Sequence, residues 1–205
     1  MKQITKYLAA FIVVVLMAQP TIAQPTITLE AFGGWLWTSR AGYTGNEFIV
    51  DDEGNYGVRV GVSPASALLV EFEWNHTETR ITGNNFISGN VSEDVIINYY
   101  MLGINKQMGE GPAVPFGLLN LGVMNMKGET INFSENWFTV GLGGGLKYYL
   151  NDRIGIRLQA RLLLPMQFGG IGIGCGTGGC GGGVSAYSTV IQGDFTGGVI
   201  LKLGG

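Results

Sequence analysis

Charge is scarce in this chain. Only 13% of its 205 residues are Asp, Glu, Lys or Arg, about half the share in a typical soluble domain. The formal net charge is −3 and no basic cluster is present, which argues against nucleic acid as a partner. Histidine occurs once and cysteine twice. Two thiols make an incomplete zinc site, because tetrahedral sites take four ligands, so no metal and no cofactor is expected. No apolar run after residue 23 is long enough to cross a bilayer as a helix. Glycine, by contrast, occurs 35 times, more than twice the average share of about 7%.

The only long apolar run is at the start. Lys2 and Lys6 precede twelve apolar residues, Tyr7 to Ala18, and small residues Thr21 and Ala23 follow at cleavage-site positions. This is the pattern of a secretory signal peptide over 1–23. Residues 24–205 then form one mature domain, whose formal charge is −5 once Lys2 and Lys6 are removed. Export, few charges and no spanning helix together point to a transmembrane β-barrel.

A barrel wall places every second side chain in lipid, so alternation is the test. It recurs eight times. In 26–38, Ile27, Leu29, Ala31, Gly33, Trp35 and Trp37 alternate with Thr28, Glu30, Phe32 and Gly34. In 55–62, Tyr56, Val58, Val60 and Val62 alternate with Gly57, Arg59 and Gly61. In 67–79, Val70, Phe72 and Trp74 oppose Glu71, Glu73 and Asn75. Segments 113–127, 136–150, 153–165 and 188–203 follow suit. Segment 94–106 is apolar on both parities, and the expectation there is that Asn98 faces inward. The short connections at 63–66, 107–112 and 151–152 alternate with longer ones at 39–54, 80–93, 128–135 and 166–187. The expected fold is all-β: an eight-stranded antiparallel up-and-down transmembrane β-barrel, with both termini in the periplasm and the long loops outside.

The inward parity holds Arg59, Glu71, Glu73, Lys147, Arg157, Arg161 and Asp194. An eight-stranded barrel is only wide enough for side chains to fill it, and buried charges persist only when paired. A lumen packed with opposite charges is therefore expected, with inward glycines making room. Trp35, Trp37, Tyr56, Trp74, Tyr148 and Tyr187 fall toward strand ends, where aromatic girdles sit.

Several stretches resemble the OmpA-like/OmpX-like family of small outer-membrane β-barrels. They are AFGGWLWTS, VPFGLLNLGV, FTVGLGGGLKYYLNDRIGIRLQARLLLP and QGDFTGGVILKLGG. The hairpin built around Asn151-Asp152 is the most specific of these, and the style is similar to members from Bacteroidota. The resemblance implies the bacterial outer membrane as location. It implies outer-membrane lipids, lipopolysaccharide and the outer-membrane assembly machinery as partners.

No catalytic set is legible. His76 lies near the outer end of the third strand on the outward parity, with Glu78 two residues on and no serine suitably placed. The pair Glu71 and Glu73 is expected to be neutralised by arginines of the second strand. The acidic stretch VDDEG at 50–54 reads as a solvated loop. Residues 169–183, GGIGIGCGTGGCGGG, contain a G-x-G-x-x-G, but a strand and not a helix follows, and no Gly-Lys-Ser/Thr is present, so a phosphate cradle is excluded. In an exported chain, Cys175 and Cys180 are expected to form a short-loop disulfide; reduced or metal-bound thiols are the alternative. The expected function is non-enzymatic: a barrel as anchor, with surface loops for adhesion, envelope interaction or a protein partner. A lipid A or phospholipid-modifying enzyme centred on His76, or a narrow transport channel, is the alternative.

Overall fold

A computed structural model describes residues 26–38, 41–43, 46–65, 67–85, 89–128, 134–176, 179–187 and 191–203. The expected signal peptide, 1–23, lies outside the described residues. Among the described residues there are eleven strands: β1 (Thr26–Thr38), β2 (Ala41–Tyr43), β3 (Asn46–Val50), β4 (Glu53–Ala65), β5 (Leu68–Asn85), β6 (Gly89–Gln107), β7 (Ala113–Gly128), β8 (Ser134–Tyr149), β9 (Ile154–Gly176), β10 (Gly179–Tyr187) and β11 (Gln192–Leu203). Eight of them make the wall, in the order β1-β4-β5-β6-β7-β8-β9-β11, and β1 pairs with β11 to close it. Every pairing is antiparallel.

Closure can be traced through one row of register partners. Thr28, Gly61, Glu71, Gly103, Asn120, Gly141, Leu163 and Gln192 follow in turn, and the row returns to β1 at Thr38. The wall therefore closes with an offset of ten residues, 38 minus 28. Spacings of about 3.3 Å along a strand and about 4.8 Å between strands then set a strand tilt of about 40°.

The side-chain pattern is that of a barrel turned inside out relative to a soluble one. Outward residues such as Leu102, Leu142 and Leu158 are about 60% exposed (59%, 61% and 61%), while Arg157, Arg161 and Glu73 on the inward parity are buried. Tight turns join the strands at one end. Asn151 Oδ1 accepts from the backbone N–H of Arg153 and Ile154 at 2.9 and 2.8 Å, an Asx-type turn. In the β6–β7 turn, Gly109 and Gly111 adopt φ of 111° and 112°, a conformation open chiefly to glycine.

The other end is built differently from expectation. Segments expected as loops continue as paired strands. β5 and β6 stay in register up to Asn85↔Gly89, and β9 pairs with β10 up to Gly176↔Gly179. Loop one contains the hairpin β2–β3, and β3 adds to β5 through Phe48↔Gly83. Backbone pairing does not need side-chain alternation, which is why a glycine run forms a ribbon here. In the wall order, the β5–β6 pair stands opposite the β9–β11 pair, so the two long hairpins, β5–β6 and β9–β10, rise from opposite sides of the wall.

Candidate functional site

The lumen is crossed by one continuous chain of ions. It starts at Lys147 on β8, whose Nζ lies 3.9 Å from Glu71 Oε1. Glu71 accepts a bidentate pair from Arg157 at 2.6 and 3.1 Å. Arg157 also donates to Glu30 Oε2 at 3.2 Å, and Glu30 Oε1 accepts from Arg59 at 2.5 Å. Arg59 Nε reaches Glu73 at 2.6 Å. Glu73 is forked by Arg161, which donates from Nη1 at 3.0 Å and from Nη2 to the second oxygen. Arg161 Nε ends the chain on Asp194 at 2.6 Å, and Asn55 caps Asp194 at 2.5 Å. Four bases and four acids thus alternate in sign and cancel.

All seven charged residues expected in the lumen are buried members of this chain. The eighth, Glu30, carries the same inward parity in β1 but was not in the expected set. Aromatic rings support the cations. Arg59 lies 3.7 Å above the Phe32 ring centroid, and Arg157 lies 4.5 Å above that of Phe116. Glycines make the room. A Cβ at Gly143, the register partner of Arg161, would sit 2.4 Å from Arg161 Cβ, and one at Gly198 would sit 2.6 Å from Glu30 Oε1.

The ionic chain fills only part of the lumen, which corrects the expectation of a charged interior throughout. Nearer the tall-hairpin end, Leu36, Val95, Ile97, Tyr99, Met101, Met124 and Leu163 form a buried apolar cluster, with Ile81, Met126 and Trp137 against it. This also corrects the facing of β6. Its inward residues are Val95, Ile97, Tyr99 and Met101, and Asn98 faces outward. The inward side chains of β6 pack into this apolar cluster, beside the buried Asn75, Thr77 and Thr79 of β5, and its outward side chains meet lipid, so both parities of β6 are apolar from Val95 to Met101 apart from Asn98, and alternation carries no contrast.

Among the described residues, three side-chain pairs span the full width of the barrel. Arg157–Glu71 and Arg161–Glu73 join β9 to β5, four strands away. Tyr99 on β6 donates to Gln192 on β11, again four strands away. A lumen tied across its diameter at these points is a filled core.

On the outer surface, Trp35, Trp37 and Tyr56 are half exposed (53%, 49% and 55%) toward the tall-hairpin end, and Tyr148 (49%) lies at the tight-turn end. Trp74 is less exposed and meets Tyr56 edge to face, with centroids 6.3 Å apart. Tyr187 lies in β10 as the register partner of Gln167, within the projecting ribbon; its side chain is outside what is described. His76 also faces outward. Its Nδ1 is 2.9 Å from Asn98 Oδ1 and its Nε2 is 3.4 Å from Glu78 Oε1. Among the described residues, no hydroxyl or thiol nucleophile is among its hydrogen-bond partners. Farther along, Arg80 Nε donates to Asp94 at 2.7 Å on the exposed rim. That hydrogen bond holds the Asp94 carboxyl below its ordinary pKa. Cys175 and Cys180 are register partners in the β9–β10 ribbon.

A filled eight-stranded barrel with an apolar outer wall is a membrane architecture, and the comparisons give it a family. A sequence profile for the outer membrane protein beta-barrel domain matches residues 8–178. The chain belongs to this family. As a member of the outer-membrane β-barrel family it resides in the bacterial outer membrane. Its fold is shared with Neisserial surface protein A, at 11% identity and a TM-score of 0.57, covering 87% of this chain and 97% of the other. OprG from Pseudomonas aeruginosa matches at 12% identity and a TM-score of 0.59, covering 88% and 96%. Ail, the attachment invasion locus protein of Yersinia pestis, matches at 12% identity and a TM-score of 0.50, covering 87% and 98%. No curated protein matches the chain at a significant level. By the family's architecture, the end with tight turns faces the periplasm and the tall hairpins face outside.

Proposed function

We propose that this outer-membrane barrel is a non-enzymatic anchor and that its projecting hairpins carry its specific contacts, in adhesion, envelope interaction or docking with a protein partner. The supporting observation is the division of the molecule. The lumen is tied across its diameter by buried bonds, while two opposed hairpins extend the wall beyond the apolar band. A structural relative named for attachment and invasion is in keeping with this reading.

Two measurements test it. In planar bilayers the purified barrel should give no discrete conductance, and regular single-channel steps would sink the anchor reading. On intact cells, residues 169–187 are replaced by a short turn and surface cross-links are mapped. The trimmed chain should lose the wild-type protein adducts while keeping heat-modifiable mobility on gels. Unchanged adducts would remove the ribbon from the function.

Two further features belong to the same reading. Cleavage after Ala23 should leave a mature chain beginning at Gln24, which N-terminal sequencing of the membrane fraction checks. A Cys175–Cys180 disulfide would pin the ribbon. Directly opposed residues in an antiparallel pair stand about 4.5–5.5 Å apart, inside the Cα range of about 4.4–6.8 Å for a disulfide. Alkylation of the unreduced protein should label neither thiol, and labelling of both would refute the bridge.

A further inference from the structure

The lipid-facing wall is not smooth. Across β8, β9 and β11 it carries a groove of about 520 Å³, lined by Gly144, Leu146, Leu158, Ala160 and Phe195. The register accounts for its shape. Gly117, Gly144, Ala160 and Phe195 are partners in one row of outward positions on β7, β8, β9 and β11. Its first three members carry at most a methyl group. The outward row on one side carries Leu119, Leu142 and Leu162, and the row on the other carries Leu146 and Leu158. The floor is fixed by the fold, because a Cβ at Gly144 would stand 2.6 Å from the Phe116 carbonyl oxygen.

Followed the other way, the same row reaches Lys106 on β6, the partner of Gly117. In the wall strands the described charged residues of outward parity are Glu78, Arg80, Asp94 and Lys127 toward the outside, and Lys106 alone toward the periplasm. Lys106 is exposed and has no ion partner among the described residues. Its outward neighbours along the chain are apolar and half exposed, Ile104 at 50% and Met108 at 56%. A lone ammonium among apolar side chains at a bilayer surface calls for an anion.

The row climbs from β6 to β11, in the sense in which the row from Thr28 returns to β1 at Thr38. It therefore leads from the periplasmic interface toward the middle of the membrane. Four interstrand steps from Lys106 to Phe195 span about 19 Å, comparable to an extended acyl chain. We propose that Lys106 and this groove bind one glycerophospholipid of the periplasmic leaflet, with its phosphate on the ammonium and one acyl chain in the trough. Charge complementarity favours this occupant over a second copy of the chain. The outward carboxylates of the wall strands, Glu78 and Asp94, lie at the opposite end, so a neighbouring barrel at the same height would bring neither to Lys106. The inference is independent of what the projecting hairpins bind.

The mature barrel is extracted from its own membrane in mild detergent and its intact mass is measured by native mass spectrometry. The wild type should carry one phospholipid. Lys106→Gln should lower the retained fraction by about five-fold, as loss of one hydrogen bond implies, and Lys106→Arg should restore it. Ala160→Leu, which fills the trough from the lipid side, should lower retention as well. All three variants should keep heat-modifiable mobility on gels. Delipidated wild type is then offered phosphatidylglycerol or the diacylglycerol with the same chains, and only the phospholipid should bind. Absence of a bound phospholipid, retention unchanged by Lys106→Gln or by Ala160→Leu, or equal uptake of diacylglycerol would overturn the proposal. So would a wild-type particle of two barrels that Ala160→Leu splits into one, which would give the groove to a second copy.

Discussion

The two halves of the lumen solve one packing problem by different means. Toward the periplasm the interior is closed by ions that alternate in sign from Lys147 to Asp194. Toward the outside it is closed chiefly by Val95, Ile97, Met101, Met124 and Leu163, with the uncharged Asn75, Thr77 and Thr79 buried beside them. On β9 the change happens within three residues, from Arg161 to Leu163. The contrast teaches that an inward-facing position does not select a polar residue. It selects one whose needs its neighbours meet. An ion needs particular atoms at particular distances, whereas an apolar side chain needs only volume to be filled. The ionic half should therefore tolerate substitution less well than the apolar half.

The largest expected effect is at Arg161. Replacing it by methionine leaves Asp194 and much of Glu73 without a counter-ion in a buried site. Loss of one partner of a buried pair costs about 3–5 kcal/mol. Urea unfolding in lipid vesicles should show a fall of that order, and a change under about 1 kcal/mol would show that water or rearrangement compensates the ionic half.

Ile97→Ala, in the apolar half, comes next. It removes a buried side chain and leaves a cavity, at about 2–4 kcal/mol. Here the companion change Ile97→Leu keeps the volume and should cost less than about 1.5 kcal/mol. No volume-conserving swap should rescue Arg161 in the same way. Equal rescue at both sites would erase the distinction between the halves.

The smallest effect is at the exposed rim, where the Arg80–Asp94 pair tests what an ion pair is worth outside the lumen. Asp94 has its folded pKa depressed below the ordinary 3.8, chiefly by the hydrogen bond from Arg80. Its contribution is therefore fully present above the ordinary value and lost as pH falls through the folded one. It is also screened by water and salt. Amide exchange at the tip of the β5–β6 hairpin should be slightly faster in Asp94→Asn at neutral pH. The ratio to wild type should approach one as pH drops below 3.8. A ratio that does not depend on pH would separate the pair from hairpin stability.

How much of this could be read from the sequence depended on contrast between the two faces of a strand. β1, β4, β9 and β11 alternate between lipid and a polar lumen, so their facing, and the charged residues they contribute, were legible. Glu30 was visible by the same signal, but its partnership with Arg59 and Arg157 required the register across three strands. β6 reads the wrong way at Asn98 because both faces of the strand around it are apolar, and Asn98 itself faces outward. The ribbon of β9 and β10 reads as a loop in the sequence because glycine leaves no side-chain pattern, although the backbone pairing persists.

The ionic chain has a consequence for the order in which the barrel can be completed. Its contacts join residues far apart along the polypeptide: Glu30 to Arg157, Glu71 to Arg157, and Glu73 to Arg161. With the strands through β8 in place, three carboxylates face two cations, and the interior carries one excess negative charge. The arrival of β9 with Arg157 and Arg161 reverses that to one excess positive charge. Only β11, which brings Asp194, takes it to zero. Electroneutrality is thus reached at the same step as closure of the wall, so an incomplete sheet is penalised twice, by its open edge and by its unbalanced interior.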